Sequence, residues 1–323
     1  MIQSTGVGGG RGVAEYPRDL RGRGRSPQRW RWPGGRRVAV SVVINWEEGA
    51  ERNVLHGDAT SESAGCDVAD GEARLNARDL RTESMYGFGT RVGAWRLLDL
   101  FDGYGIPATV FAAGMAVERY PELAVEFAHR GHEICGHGYR WIDYHGVDEH
   151  TEREHIERTV EAITTATGRR PAGWYTGRTS PNTRRLIAEE GGFVYDSDAY
   201  DDDVPYWDRS LESPHLVVPY AFDTNDMRFA TSPGLSGARQ FGDELIDTLD
   251  ELVADSAAGP SMMSVGLHLR LAGRPARTRS VRRFLDHAVQ RSDDVWFARR
   301  IDIARWWIDN AGVPAALSEG AGR

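Results

Sequence analysis

Six short strand-like segments of the chain, most of them apolar, are each followed within a few residues by ionisable side chains, an arrangement that can assemble hydrolytic chemistry. Glu47 and Glu48 follow residues 38–45, His137 follows 132–135, Arg178 follows 172–175, and Asp196 and Asp198 close on 193–195. Asp223, Asn225, Asp226 and Arg228 follow 216–219, and His268 and Arg270 follow 262–267. Two carboxylates held side by side titrate as a unit, so one of them can take a proton near neutrality. An imidazole at a strand end is suited to pass one on. Paired acids also decorate solvated loops, but Gly49 behind Glu47 and Glu48 permits a tight turn that aims both at one place. His137 lies between Gly136 and Gly138, where backbone can approach a ligand, although a lone histidine is more often structural than catalytic. Arg178 and Asp198 suit either a binding site or a structural ion pair. A catalytic metal could use Glu48, His137 and one more donor, bringing a bound water toward a pKa of about 7. The third position is the difficulty. One helical turn past His137 stands Trp141, whose indole donates N–H and offers a cation no lone pair. His145 or a distant acid would have to serve, so zinc or another divalent cation stays open on the residues alone.

Such side chains converge only if the segments before them are parallel strands ending on one face. Residues 38–45, 108–112, 132–135, 172–175, 193–195, 216–219, 262–267 and 295–298 read as short strands. Between them, 91–104 places Val92, Trp95, Leu98 and Phe101 on one helical face, Asp148 caps a helix carrying Ile156, Val160 and Ile163, and Pro181 opens another. Helices around 239–255 and 275–290 complete the series. Alternation of this kind predicts an α/β fold, a distorted (β/α) barrel with about seven parallel strands whose loops at the strand ends carry the chemistry. The polar stretch 50–85 follows the first strand and is expected to cover the site. Residues 1–36 read as a flexible Gly/Arg-rich arm ending in an ordered wrap, 37–310 as one barrel domain, and 311–323 as a flexible tail.

Composition narrows the classes further. The 323 residues carry a net charge of −9, against a surface shaped for nucleic acid, even though the first 37 hold nine arginines. All 39 basic residues are arginine, which removes Schiff-base catalysis, a phosphate-loop lysine and a lysine carbamate bridging two metals. Cys66 and Cys135 are too few for a disulfide framework or a zinc cage. No window approaches the length of a membrane span and the start lacks a signal-peptide core, so a cytoplasmic protein with a small-molecule substrate, and neither nucleic acid nor membrane as partner, is expected.

The sequence resembles the polysaccharide deacetylase (NodB-homology) superfamily, and its wording is similar to the allantoinase branch over residues 15–308. The resemblance rests on Ile44-Asn45-Trp46-Glu47-Glu48-Gly49, Asn53-Val54-Leu55-His56-Gly57-Asp58, Glu83-Ser84-Met85-Tyr86, the run from Gly173 to Asn182, Asn225-Asp226-Met227-Arg228-Phe229, and Gly266-Leu267-His268 followed by Gly273-Arg274-Pro275. The resemblance implies a general base at Glu47, a metal-ligand position at Glu48, a retained motif histidine at His137, the third-motif residues Arg178 and Pro181, and a general acid at His268. Trp141 replaces the second metal histidine of the sugar deacetylases, which within this branch implies catalysis without an added metal or cofactor. Leu269 departs from the cysteine expected after the last histidine. Catalysis is therefore expected from Glu47 and His268, with Glu48, His137, Trp141, Arg178, Asp198, Asn225 and Arg228 around the substrate, Arg178 or a backbone N–H holding the oxyanion. The implied reaction is hydrolytic opening of a cyclic amide, (S)-allantoin to allantoate in purine breakdown, by a homo-oligomer. Cyclic imide hydrolysis, N-deacetylation of amino sugar or peptidoglycan, and a barrel that binds without turnover are the alternatives.

Overall fold

The computed structural model describes residues 18–22, 29–68, 71–255 and 259–311. Nine strands form one sheet: β1 (Val38–Trp46), β2 (Ala108–Ala112), β3 (Glu133–Gly136), β4 (Gly173–Trp174), β5 (Tyr195–Asp196), β6 (Tyr206–Asp208), β7 (His215–Val217), β8 (Ser261–His268) and β9 (Val295–Phe297). Their order is β6-β7-β5-β4-β3-β2-β1-β8, with β9 paired to the start of β1. Every pairing is parallel except β6 with β7. All nine residues of β1 and all eight of β8 are buried, as strands covered on both faces must be, and hence their near-continuous apolar runs. The expected strands form, shorter by a residue or two at several ends. The edge strand β6 carries no apolar run and gave no sequence signal.

Closure of the sheet differs from a fully paired barrel. Between β7 and β8 the strands do not pair; a bridge from Asn225 to Gly266 and the Gly266 N–H bonded to the Thr224 carbonyl at 3.0 Å span the gap instead. Arg300, fully buried, reaches across it: Nε donates to Ser197 Oγ at 2.8 Å, Nη1 to Ser264 Oγ at 3.0 Å, and Nη2 to the carbonyls of Val218 and Pro219. A curled, mostly parallel half-barrel results.

The helices are α1 (Leu80–Phe88), α2 (Ala94–Tyr104), α3 (Gly114–Arg119), α4 (Pro121–His129), α5 (Glu149–Thr167), α6 (Thr183–Glu190), α7 (Ala238–Ala254), α8 (Leu269–Ala272), α9 (Pro275–Val289) and α10 (Arg300–Ala311). Asp148 caps α5 as its sequence predicts, accepting the Thr151 N–H at 3.0 Å. Pro181 lies before the cap of α6 rather than in its first turn, because Ser180 Oγ accepts the Asn182 N–H at 2.9 Å and closes a turn there. The stretch 50–85 folds over the strand ends, although residues 69–70 of it lie outside the described residues. At the end of the amino-terminal arm, residues 29–36 pack as the expected wrap: Trp32 is buried and its Nε1 donates to the Ser261 carbonyl at 2.7 Å. Most of the remaining arm, and the tail from 312, lie outside the described residues. No helix among those described is long and apolar enough to cross a membrane.

Beneath the strand ends, a single π-helical turn (Gly89–Gly93) joins α1 to α2 and meets α8 backbone to backbone. A Cβ on Gly93 would stand 2.0 Å from the Leu269 carbonyl oxygen, and one on Gly273 2.3 Å from the Gly93 Cα. Only glycine permits this approach, and it fixes the segment after His268. Gly93→Ala is expected to cost about 1–3 kcal/mol, as overpacking does, read as a lower denaturant midpoint at unchanged slope.

Candidate active site

Register decides which side chains meet. Pairing of β1 with β8 sets Asn45 opposite His268, so Glu47, two residues on, leaves its strand beside that imidazole. Glu47 Oε1 lies 3.2 Å from His268 Nε2 and 3.4 Å from His137 Nε2. Its other oxygen accepts from Arg270 Nη2 at 2.6 Å. His268 Nδ1 donates to Asp226 Oδ1 at 2.7 Å, and Asp226 also accepts the His268 backbone N–H at 3.0 Å. Both bonds fix the ring with Nε2 toward Glu47. His137 Nδ1 donates to the Tyr175 carbonyl at 2.9 Å, and its ring stacks on Tyr175 with centroids 5.1 Å apart. Glu48 turns the other way, accepting the Glu47 N–H at 3.2 Å and the Arg270 N–H at 3.2 Å, against Gly89, where a Cβ would fall 2.3 Å from its Oε1. Glu47, His137 and His268 are only 2–3% exposed.

Charge in this cluster is sorted by its neighbours. Burial alone would raise the Glu47 carboxyl, but Arg270, His268 and the contact with His137 outweigh it and hold Glu47 well below the ordinary carboxylate range. Glu48 goes the opposite way: burial, with the Glu47 charge adding to it against Arg270, lifts it to about 7. His268 resists its burial because Glu47 and Asp226 favour the imidazolium, raising it to about 9. At neutral pH an ionised carboxylate thus faces a protonated imidazole, the charge states of a base and an acid.

The other expected contacts divide. Arg178 lies with its guanidinium carbon 4.2 Å from the centre of the Trp141 ring, and that ring lies 5.3 Å from the guanidinium carbon of Arg270. Asp198 does not pair with Arg178; it accepts the N–H groups of Thr176 at 2.8 Å and Gly177 at 2.7 Å and so holds the turn that carries Arg178. Asn225 caps the short helix of Asp226, its Oδ1 accepting the Met227 N–H at 2.8 Å, and supports the site from behind. Arg228 is not brought in: it pairs with Glu244 and donates to the Asp223 carbonyl at 3.1 Å, because the 3-10 turn swings it outward. Leu269 is buried in the core, where it opens α8 rather than continuing the strand. Asp226 and Arg270 stood among the strand-end polar residues but without a role, since nothing in spacing tells which acid meets an imidazole 42 residues later.

A Schizosaccharomyces pombe protein whose name places it among polysaccharide deacetylases is 38% identical over 299 residues, covering 85% of this chain and 92% of its own length. This chain belongs to the polysaccharide deacetylase family. It is thereby a hydrolase of the deacetylase family. The polysaccharide deacetylase family model matches residues 85–195. A crystal structure of a probable polysaccharide deacetylase from Pseudomonas aeruginosa PAO1 is 52% identical, with a TM-score of 0.89, over 92% of this chain and 100% of that one. The crystal structure of PuuE allantoinase is 49% identical, with a TM-score of 0.90, over 93% of this chain and 99% of that one, which supports the allantoinase branch.

The superfamily resemblance raises a metal, and the donors here do not suit one. Both Glu48 oxygens are taken by backbone N–H groups, Trp141 offers no lone pair, and the Arg270 guanidinium stands between the two glutamates. Among the described residues no group of three or more His, Cys, Asp or Glu is arranged to hold a metal ion.

Proposed function

We propose that the protein hydrolyses a cyclic amide and that its substrate is (S)-allantoin, opened to allantoate. The observation that carries this reading is Glu47 Oε1 set between two imidazole Nε2 atoms, 3.2 Å from that of His268 and 3.4 Å from that of His137. The likeness to PuuE allantoinase supports the choice of ring, and the donor set of the site supports water activation by side chains.

In this mechanism a water oxygen bonds to the ring carbonyl carbon while Glu47 takes a proton from that water. The tetrahedral oxyanion collapses, the ring C–N bond breaks, and the nitrogen leaves with the proton of His268. Transfer from Glu47 back to His268 across their 3.2 Å contact restores both groups, and the new carboxylic acid loses its proton to solvent. His137 orients the water. Arg178, which forms no ion pair among the described residues, presents its N–H donors from the face of Trp141 to the oxyanion or the ureido arm of the substrate.

Allantoate formation by the purified protein, measured beside succinimide opening and acetate release from N-acetylated sugar oligomers, tests the reading. Allantoin is expected to be the preferred substrate, and faster acetate release would overturn that choice. His268 must be protonated to act as acid, so kcat/KM is expected to stay level through neutrality and fall as pH rises through about 9. Its acidic limb is expected below the ordinary carboxylate range, because Glu47 is held ionised there.

A further inference from the structure

We infer that Arg270 is the built-in cation of this site, a positioning residue whose guanidinium holds Glu47 and Glu48 in place between the strand end and the covering loop. This rests on the ring-opening reading and deepens it.

The geometry is that of a fixed group. Arg270 is 1% exposed, and each side of its guanidinium is engaged. Nη2 donates to Glu47 Oε2 at 2.6 Å, Nη1 stands 3.4 Å from Glu48 Oε1, and Nε donates to the Gly65 carbonyl at 2.5 Å. The guanidinium carbon lies 4.2 Å from the centre of the Tyr86 ring and 5.3 Å from that of Trp141, whose faces favour a cation. Its own backbone N–H bonds Glu48 at 3.2 Å, so one residue contacts both acids, through main chain and side chain. Gly65 makes room for it: a Cβ there would come 2.8 Å from Tyr86 Oη and 3.2 Å from Arg270 Nη2.

Two consequences follow for the reaction. Arg270 holds Glu47 Oε2, which turns Oε1 toward the two imidazoles, where the proposed mechanism places the water. The bond to Gly65 also ties the covering segment 50–85 to the base itself. Lysine cannot replace this fork, because a point charge cannot span two carboxylates and a carbonyl at once.

The test uses the full-length protein with Arg270→Ala and Arg270→Lys. Arg270→Ala is expected to lose at least a hundredfold in kcat with KM for allantoin changed less than threefold, and millimolar guanidinium ion, not ammonium, is expected to restore at least a tenth of the wild-type kcat. Arg270→Lys is expected to stay impaired. Millimolar guanidinium is further expected to raise the melting temperature of Arg270→Ala and not that of wild type, a readout that needs no substrate. If Arg270→Ala does not fold, Arg270→Gln paired with Glu48→Gln removes the buried charge imbalance and takes its place. Wild-type kcat in either Arg270→Ala or Arg270→Lys overturns the inference. So does a folded, impaired Arg270→Ala whose kcat and melting temperature ignore guanidinium. A wild-type protein inert toward allantoin sinks the substrate reading instead, and the melting experiment then decides the role of Arg270 alone.

Discussion

Glu47→Gln is expected to lower kcat for ring opening by roughly 10³ or more while the variant still folds cooperatively. The glutamine keeps the shape of the side chain, and its carbonyl oxygen can still accept from Arg270, so packing beneath the site changes little. What disappears is the acceptor for the proton of the attacking water, and a positioned base of this kind typically contributes about 10² to 10⁴ in rate. A second loss comes with it. The Glu47 charge is the leading influence that overcomes burial at His268, so without it the imidazole holds its proton less firmly and the acid is weakened too. Because one substitution impairs both partners, adding His268→Ala is expected to cost far less than its effect alone. Single-turnover kinetics on the purified variant reads this directly, and a kcat within tenfold of wild type would remove Glu47 from the chemistry.

How much of this was legible in advance depended on whether the information was local. The strands β1, β2 and β8 were visible because a parallel strand covered on both faces is mostly apolar along its length, and β1, β3 and β8 lead directly to Glu47, His137 and His268. The convergence of those three residues follows from the fold alone, since parallel strands deliver their carboxyl ends to one face. Local spacing could not separate Asp226 from Arg228. Both sit on one 3-10 turn, yet one enters the site and the other pairs with Glu244 on α7. Nor could it show that Arg270 rather than Arg178 meets the glutamates, because that choice depends on the glycine contact between the turn at Gly89–Gly93 and α8. The strand β6 was invisible for a different reason: a half-exposed edge of three residues needs no apolar pattern to pair.

Asp226→Asn separates holding an imidazole from charging it. Asparagine fits the same space and can still accept the His268 backbone N–H, now made at 3.0 Å, so the turn at residues 226–230 is expected to persist. The charge is lost, however, and an amide can either accept from Nδ1 or donate to it, which lets the ring adopt the tautomer that places its lone pair on the wrong nitrogen. A fall in kcat of about 10² to 10⁴ is expected, the scale seen when the orienting acid of a catalytic histidine is neutralised. The pH profile carries the distinguishing sign. Asp226 follows Glu47 among the charges that hold His268 at about 9, so its removal is expected to move the basic limb of kcat/KM to lower pH. Stability must follow the same linkage: a histidine raised above its unfolded value of 6.5 stabilises the fold fully below that pH and loses the contribution as pH rises through about 9. The wild-type melting temperature is therefore expected to decline across that interval, and that of Asp226→Asn to decline less. A variant with reduced kcat but an unmoved basic limb and an unchanged stability profile would show that Asp226 only orients the ring, and that the positive charge on His268 is held by Glu47 alone.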